Sequence, residues 1–329
     1  MAERMKTIAY LIYGDRREYQ LELTLSVASI IRHLRRAPSD IRIVLVCDRQ
    51  DIRLDLPVEY SVFSRADFDF WTDGGKYQHA AKLGALKKII DDTEGPVAFV
   101  DTDTIFLRHP DEMFAHIKSA RSVMQKRDAP IGELDYWHEL LRKAPSTVAG
   151  YPIRASSPMN NSGVIGIDQA DVSWIEEAKS LVFALHRIEP VFNIEQFAVT
   201  CALAKHTVLS VIPDIVYHYW PTHERLFQHA YVEDTVPSFT AQNFERLVKK
   251  TDQIGLPQKR FLDRVVATIK GKLHRWDGDY KFAFLAYRSA LSTDDPMHSQ
   301  VWMNIARNHL ARNSYPASRI ARDFPAIEQ

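Results

Sequence analysis

The chain has 329 residues, long for a single domain, and its 46% hydrophobic and 26% charged residues fit a large α/β catalytic domain with an appendage. Lys plus Arg and Asp plus Glu both number 42, so there is no whole-chain basic field to attract nucleic acid, and no nucleic-acid partner is expected. The two cysteines, Cys47 and Cys201, stand far apart in apolar stretches and offer neither a disulfide framework nor a CxxC metal site, which fits a reducing compartment.

The apolar run near the N-terminus is broken by Gly14 and "DRRE", too short for a secretory signal, and nowhere do eighteen apolar residues follow one another. A cytoplasmic protein is expected, with any membrane association peripheral at the inner face. Residues 7–13 read as a buried strand ending at Gly14, and Leu21, Leu25, Ile30, Ile31 and Leu34 follow at helical spacing. "IRIVLVCD" (41–48) is a second buried strand, "EYSVFS" (59–64) a third, "HAAKLGALKKII" (79–90) a helix and "VAFVDTD" (97–103) another strand. This alternation predicts a largely parallel sheet with helices on its faces.

Further on, a helix is expected over 131–142 and a surface loop over 144–160, where Pro, Ser and Ala accumulate. "GVIGID" (163–168) has strand character, and a helix from about 171 to 187 would open on Asp171 as its N-cap. "IEQFAVTCALAK" (194–205) reads as a helix, with strands near 208–213 and 215–220.

From about residue 250 the composition changes, which divides the chain into a catalytic domain over 1–250 and a helical extension over 251–329. Residues 259–276 place Leu262, Val265, Val266, Ile269 and Leu273 on one helical face and Arg260, Arg264, Lys270, Lys272 and Arg275 mostly elsewhere. Such a helix either lies on an anionic membrane surface or packs on the main domain, and packing is the commoner use. Residues 280–312 read as a helical hairpin too small to bury its own face, so it is expected to dock on the rest of the chain.

Three copies of the pattern DxD occur: Asp67 and Asp69, Asp101 and Asp103, Asp277 and Asp279. The middle copy directly follows an apolar strand, and in open α/β sheets ligands bind beyond the carboxyl ends of strands. The others read as solvated turns. Side chains alternate along an extended chain, so Asp101 and Asp103 project together while Thr102 faces away. Their repulsion is relieved either by water at a turn or by a hard cation such as Mg²⁺ or Mn²⁺, which keeps positions open for substrate phosphates.

"VAFVDTDT" also resembles the DxDxT stretch of haloacid dehalogenase-type phosphatases, although Ile105 stands where that pattern has threonine, and the later acidic motif of those enzymes is missing, since "GDYKFAF" has alanine at position 283 and Asp294-Asp295 follow no strand. A longer span resembles retaining GT-A glycosyltransferases of the glycogenin and lipopolysaccharide galactosyltransferase type. "VDTDTIFLRHPDEMF" resembles their DxD region, "KLGAL" (82–86) the preceding lysine helix, "NSGVIGID" (161–168) their N-S-G-V strand, "EQ" (195–196) their D-Q pair and "VYHYW" (216–220) their late metal-binding histidine. Together these cover roughly residues 7–220, in the family's order.

The resemblance implies a Rossmann-like GT-A sheet and a metal-dependent transfer from a nucleotide sugar, a UDP-sugar by expectation, to a hydroxyl of a glycan, lipid-linked or protein acceptor. A hexosyltransferase of glycan biosynthesis is the expected enzyme. Asp101, Asp103 and His218 would hold Mn²⁺ or Mg²⁺, and Tyr13, Lys82, Thr102 and Asn161 would join Asp101 and Asp103 around the donor. Gln196 and Glu195 would be catalytic. Each residue has a plainer use, as strand-end core for Tyr13, an exposed helix lysine for Lys82, a turn for Asn161, a helix start for Glu195 and Gln196, and a hydrogen-bonded structural imidazole for His218, with His223 close enough to compete. Two departures stand out: glutamate replaces the aspartate before glutamine, and "HYWPTHERLFQ" replaces the family's Gly-x-x-Lys-Pro-Trp segment. A phosphatase and a non-catalytic sugar-nucleotide or glycan-binding protein remain as rivals.

Overall fold

A computed structural model describes residues 4–49, 54–251 and 261–327, apart from the side chains of residues 222 and 223. Lys259, Arg260 and the His223 side chain, named above, lie outside the described residues. The elements in order are β1 (Lys6–Ile12), α1 (Arg17–Arg36), β2 (Ile41–Cys47), β3 (Glu59–Val62), α2 (Arg65–Thr72), α3 (Ala81–Asp91), β4 (Pro96–Val100), β5 (Thr104–Phe106), α4 (Pro110–Phe114) and β6 (Arg121–Arg127). There follow α5 (His138–Lys143), β7 (Thr147–Val148), β8 (Tyr151–Pro152), β9 (Asn160–Asp168), α6 (Trp174–Ile188), α7 (Ile194–His206), β10 (Val208–Val211) and β11 (Val216–His218). Six helices follow among the described residues: α8 (Thr222–Thr235), α9 (Ala241–Lys250), α10 (Phe261–Leu273), α11 (Gly278–Ala290), α12 (Pro296–Ala311) and α13 (Ala317–Asp323).

Seven strands form one sheet in the order β10-β6-β9-β4-β1-β2-β3. The pairs β1–β2, β1–β4, β2–β3 and β6–β10 are parallel, while β9 is antiparallel to both its neighbours, β4 and β6. The class expected from the sequence, a mostly parallel α/β sheet flanked by helices with a helical C-terminal segment, is the class observed. The strands β1, β2 and β4 are nearly continuous apolar runs because both faces of the sheet are covered. One core contains the inward faces of α3, α6 and α7, including Leu83, Leu86, Leu181, Phe197 and Leu203.

The reversed β9 decides where its first residues go. Since it enters at the edge where β4 leaves, Asn161 and Ser162 stand beside Asp101, whose N–H donates to the Gly163 carbonyl at 2.9 Å. Between β6 and β9 the ladder is irregular: Met124 faces Ile165, but Lys126 already faces Asn161, so three β9 residues stand opposite Gln125. A bulge of this kind bends the strand locally. Gln125 is buried, and its Nε2 donates to the Val216 carbonyl of β11 at 3.0 Å.

A second, two-stranded sheet pairs β11 with β5, placing His218 opposite Thr104. Helix α1 supports this corner with a polar stripe. Tyr10 Oη, Ser26 Oγ and Thr104 Oγ1 are linked at 2.7 Å each, Thr104 Oγ1 donates to the Asp101 carbonyl at 2.9 Å, and Ser29 Oγ accepts from Phe106 N–H at 2.9 Å. Because Thr104 donates onward, the chain of hydroxyls has one direction, from Tyr10 to the backbone of Asp101.

Several local expectations change. Residues 131–143 form two 3₁₀ turns before the short α5, and the segment 144–160 carries the β7–β8 hairpin with Val148 and Tyr151 buried, so this region is packed as well as looped. Asp171 does not cap α6; it accepts from the Ala120 N–H at 2.8 Å, and Asp168 caps the 3₁₀ turn before it. Asp67 belongs to a capping box with Ser64 at the start of α2, and Asp277 caps α11 by accepting from Tyr280 N–H, so both outlying DxD copies are helix starts rather than turns.

The chain divides into two compact units, one of residues 1–218 and 239–248, the other of 219–238 and 249–329. In the second, α11 and α12 form the expected hairpin, closed over a core with Phe227, Ala267 and Phe324. Helix α10 does not pack through its large apolar side chains as expected, because it meets that core through the small Ala267, while Leu262, Ile269 and Leu273 are exposed.

Candidate active site

Asp101, Asp103 and His218 meet just beyond the carboxyl end of β4, with one ligand atom from each lying within 4.8 Å of the others. Asp103 and His218 are buried and Asp101 is half-buried. His218 Nε2 stands 3.0 Å from Asp103 Oδ1 and 3.9 Å from Asp101 Oδ2. Its Nδ1 lies 2.8 Å from Asn161 Oδ1, which also accepts from the Gly163 N–H at 2.9 Å.

These bonds fix the tautomer. A backbone N–H always donates, so the atom it meets on Asn161 is the oxygen, and Nδ1 of His218 must carry the hydrogen between them. In a neutral imidazole the Nε2 lone pair then points at the Asp103 carboxylate. Two facing lone pairs repel; a cation resolves them, whether a second imidazole proton or a metal ion. With two carboxylates converging on the same nitrogen, the donor set could hold a hard divalent ion of the Mg²⁺ or Mn²⁺ kind, and Asn161 stands where the outer hydrogen-bond partner of a metal-ligating histidine would stand. Among the described residues this is the one such cluster of His, Cys, Asp or Glu. Gly163 makes room for it, since a Cβ there would fall 2.3 Å from His218 Nδ1.

Lys82 backs the cluster from α3. Its Nζ is 2.8 Å from Asp101 Oδ1 and donates to the Ser162 carbonyl at 3.0 Å and to Ser162 Oγ at 3.1 Å. Burial works against the ammonium charge, but Asp101 and then Glu195 outweigh it, and the pKa of Lys82 is raised. All three ammonium hydrogens are thus engaged within the chain. Lys82 therefore holds Asp101 against the start of β9.

Asn161 is saturated as well. Beyond the two bonds its oxygen accepts, its Nδ2 donates to Gln196 Oε1 at 3.2 Å, and its side chain is hydrogen-bonded to Asp128. Gln196 Oε1 also faces the Ser162 N–H at 3.4 Å, so the carbonyl end of Gln196 turns inward and its amide Nε2 is the outward end. Glu195 is almost fully buried, accepting from Ser162 Oγ at 2.9 Å through Oε2, while Oε1 makes no hydrogen bond to any described residue. Burial pushes its carboxyl up to about 7 although Lys82, 4.0 Å away, pulls the other way.

Thr102 faces away as expected, its Oγ1 donating to Glu22 Oε2 of α1 at 2.8 Å. Tyr13 packs its ring on Phe68 at 5.0 Å between centroids; burial, first, raises its pKa, and the charges of Lys82 and Asp101 reach it. The structure thus brings Lys82, Asp101, Asp103, Asn161, Glu195, Gln196 and His218 into one network, with Tyr13 at its margin and the Thr102 side chain turned toward α1. Sequence reasoning missed Glu22, Asp128 and the part played by Ser162. Ser162 is visible only as the second residue of "NSGV"; Asp128 follows a strand too polar to recognise, and Glu22 is an acid inside an apolar helix.

No family model matches the chain, and no curated protein matches it. Among solved structures it is similar to a galactosyltransferase, LgtC, in complex with donor and acceptor sugar analogues, at 12% identity with a TM-score of 0.48 over 79% of this chain and 99% of that one. It is also similar to mouse xyloside xylosyltransferase 1 in its apo form, at 13% identity with a TM-score of 0.42 over 63% of this chain and 85% of that one. Likeness at this level assigns no activity. No helix among the described residues is long and apolar enough to cross a membrane.

Proposed function

We propose that this chain is a GT-A-type glycosyltransferase, a hexosyltransferase moving a sugar from a UDP-sugar to an acceptor hydroxyl with retention of configuration in the cytoplasm. The observation that carries this reading is the facing pair of His218 Nε2 and Asp103 at 3.0 Å, with Asp101 beside it, beyond the carboxyl end of a strand, which is where open α/β sheets bind ligands. It is supported by the way four segments singled out in the sequence, around Lys82, Asp101, Asn161 and His218, join in one hydrogen-bonded network.

Asp101, Asp103 and His218 would hold Mn²⁺ or Mg²⁺. Such an ion supplies Lewis acidity to a diphosphate leaving group. The remaining chemistry belongs to the chain. Lys82 fixes Asp101 and offsets its charge, and Asn161 orients both the imidazole and the Gln196 amide. Gln196 presents N–H donors rather than its carbonyl, so it orients the donor sugar or the incoming hydroxyl and does not act as a nucleophile. Glu195, buried behind Ser162, is not offered to a sugar either and serves as a positioning residue. Attack by the acceptor on the same face the nucleotide leaves is the retaining route consistent with this arrangement.

Thermal shift and hydrolysis with UDP and a panel of nucleotide sugars, with and without Mn²⁺, test the reading, with Asp103→Ala as control. Metal-dependent stabilisation by UDP that the variant loses, with release of UDP on turnover, supports it. Release of inorganic phosphate would favour a phosphatase, and binding without turnover a non-catalytic nucleotide-sugar receptor. If no nucleotide stabilises the wild type with Mn²⁺ and the variant behaves identically, the donor-site reading fails.

A further inference from the structure

Helix α10 has the amphipathic pattern of a packed helix, turned the other way round. Its two buried side chains are Asp263, which accepts from Arg288 Nε of α11 at 2.9 Å, and Ala267, which is fully buried. The stripe Leu262, Val265, Val266, Ile269 and Leu273, spaced i, i+3, i+4, i+7 and i+11, points outward. Phe261, Leu262, Ile269 and Leu273 are 76%, 74%, 61% and 73% exposed. Rolling the helix to hide the stripe would strip Asp263 of Arg288, so the orientation is anchored on the inner side by an ion pair.

The flank of this stripe is cationic. Arg264 and Lys272 fall along one edge, with Arg275 two residues beyond the end of the helix, and all three are exposed, with no ion pair to any described residue. The acid within α10, Asp263, is the one turned inward. A contiguous apolar face with a one-sign rim is a docking surface, and the charge selects the occupant. A second copy joined about a two-fold axis would bring the same cations together with no acid from this face to meet them. A bilayer with anionic headgroups offers an acyl boundary for Leu262, Ile269 and Leu273 and phosphates for the rim at the same time.

We propose that α10 lies in the interface of an anionic lipid membrane, apolar stripe toward the acyl chains and Arg264, Lys272 and Arg275 at the level of the phosphates. This goes beyond the sugar-transfer reading and does not depend on it.

Co-sedimentation of the full chain with vesicles of phosphatidylcholine alone and of phosphatidylcholine with phosphatidylglycerol tests it. Partition onto the anionic vesicles is expected to be stronger by on the order of a hundredfold, three cations each contributing about fivefold, and to fall at high salt. The double variant Leu262→Asp with Ile269→Asp should abolish it, while Arg264→Glu with Lys272→Glu should remove the preference for phosphatidylglycerol; both pairs are exposed, and circular dichroism checks that the fold is kept. Failure to partition onto anionic vesicles overturns the proposal, as does partition that neither variant changes. A concentration-dependent dimer in sedimentation velocity, dissolved by the aspartate variant, would assign the face to self-association and overturn it equally.

Discussion

His218 donates through Nδ1 to the side-chain oxygen of Asn161 at 2.8 Å, and that bond determines which nitrogen of the imidazole faces the two carboxylates. Asn161 therefore sets the state of the proposed metal ligand His218 without being a ligand itself. Asn161→Ala should weaken Mn²⁺ binding in the presence of UDP by about 10- to 100-fold, read by calorimetry or by the metal's paramagnetic signal. Asn161→Asp keeps an acceptor for Nδ1 but loses the donor to Gln196. It should retain most of the metal affinity while losing turnover. Equal loss of both properties in the two variants would contradict this division.

Gly163→Ala tests the space rather than the bond. A methyl group 2.3 Å from His218 Nδ1 forces the ring to move, with a cost of about 1–3 kcal/mol in denaturant melts. The larger consequence should be loss of Mn²⁺-dependent stabilisation by UDP. A variant that binds metal and nucleotide normally would mean the ring is not held where the structure puts it.

Gln196→Ala should lower turnover by about 10²- to 10³-fold, the usual cost of removing one well-placed donor, with little change in UDP affinity. A parallel loss of nucleotide affinity would place the amide on the nucleotide instead of at the reacting sugar.

Glu195 makes stability depend on pH with a definite sign. Burial raises its carboxyl from 4.5 to about 7, so across that window the folded chain holds a proton that the unfolded chain releases. Its contribution is complete below about 4.5 and is lost as pH rises through about 7, a difference on the order of 3 kcal/mol. Glu195→Gln, which cannot ionise, should flatten the fall in urea-melt stability between about pH 5 and pH 8. An unchanged slope would assign the pH dependence to other groups.

Much of this architecture is legible because the physics is local. The strands β1, β2 and β4 are continuous apolar runs, and the cluster of Asp101, Asp103 and His218 follows from strand-end position and the ordered resemblance. The strand β6 escapes notice because Gln125, Lys126 and Arg127 break its apolar pattern, although Ser122 to Gln125 are buried. The capping box at Ser64 and Asp67 is readable, yet an aspartate pair beside it reads first as a turn. The direction of β9 is not written in its periodicity at all, since a strand looks the same in either direction, and that direction is what brings Asn161 and Ser162 to Asp101. For the same reason Lys82 and Asn161 are recognisable as site residues while their saturation by neighbours far along the chain is not. The outward turn of α10 depends on Asp263 finding Arg288, a pairing between helices that no single helix reveals.

The irregular ladder between β6 and β9 makes the site sensitive to length more than to composition. Three residues, Ser162, Gly163 and Val164, share the span that Gln125 covers alone, and beyond them the chain runs alongside Lys126 and Arg127 with Asp128 donating its N–H to the Met159 carbonyl at 2.9 Å. Side chains alternate from face to face along a strand, so deleting one residue from this surplus would swap the sides of everything before it. Asn161 would leave His218, Gln196 and Asp128 together, while the pairing of β4 with the rest of β9 stayed intact. Substitutions remove the partners of this network one at a time; a single-residue deletion would disconnect it whole in a protein that still folds.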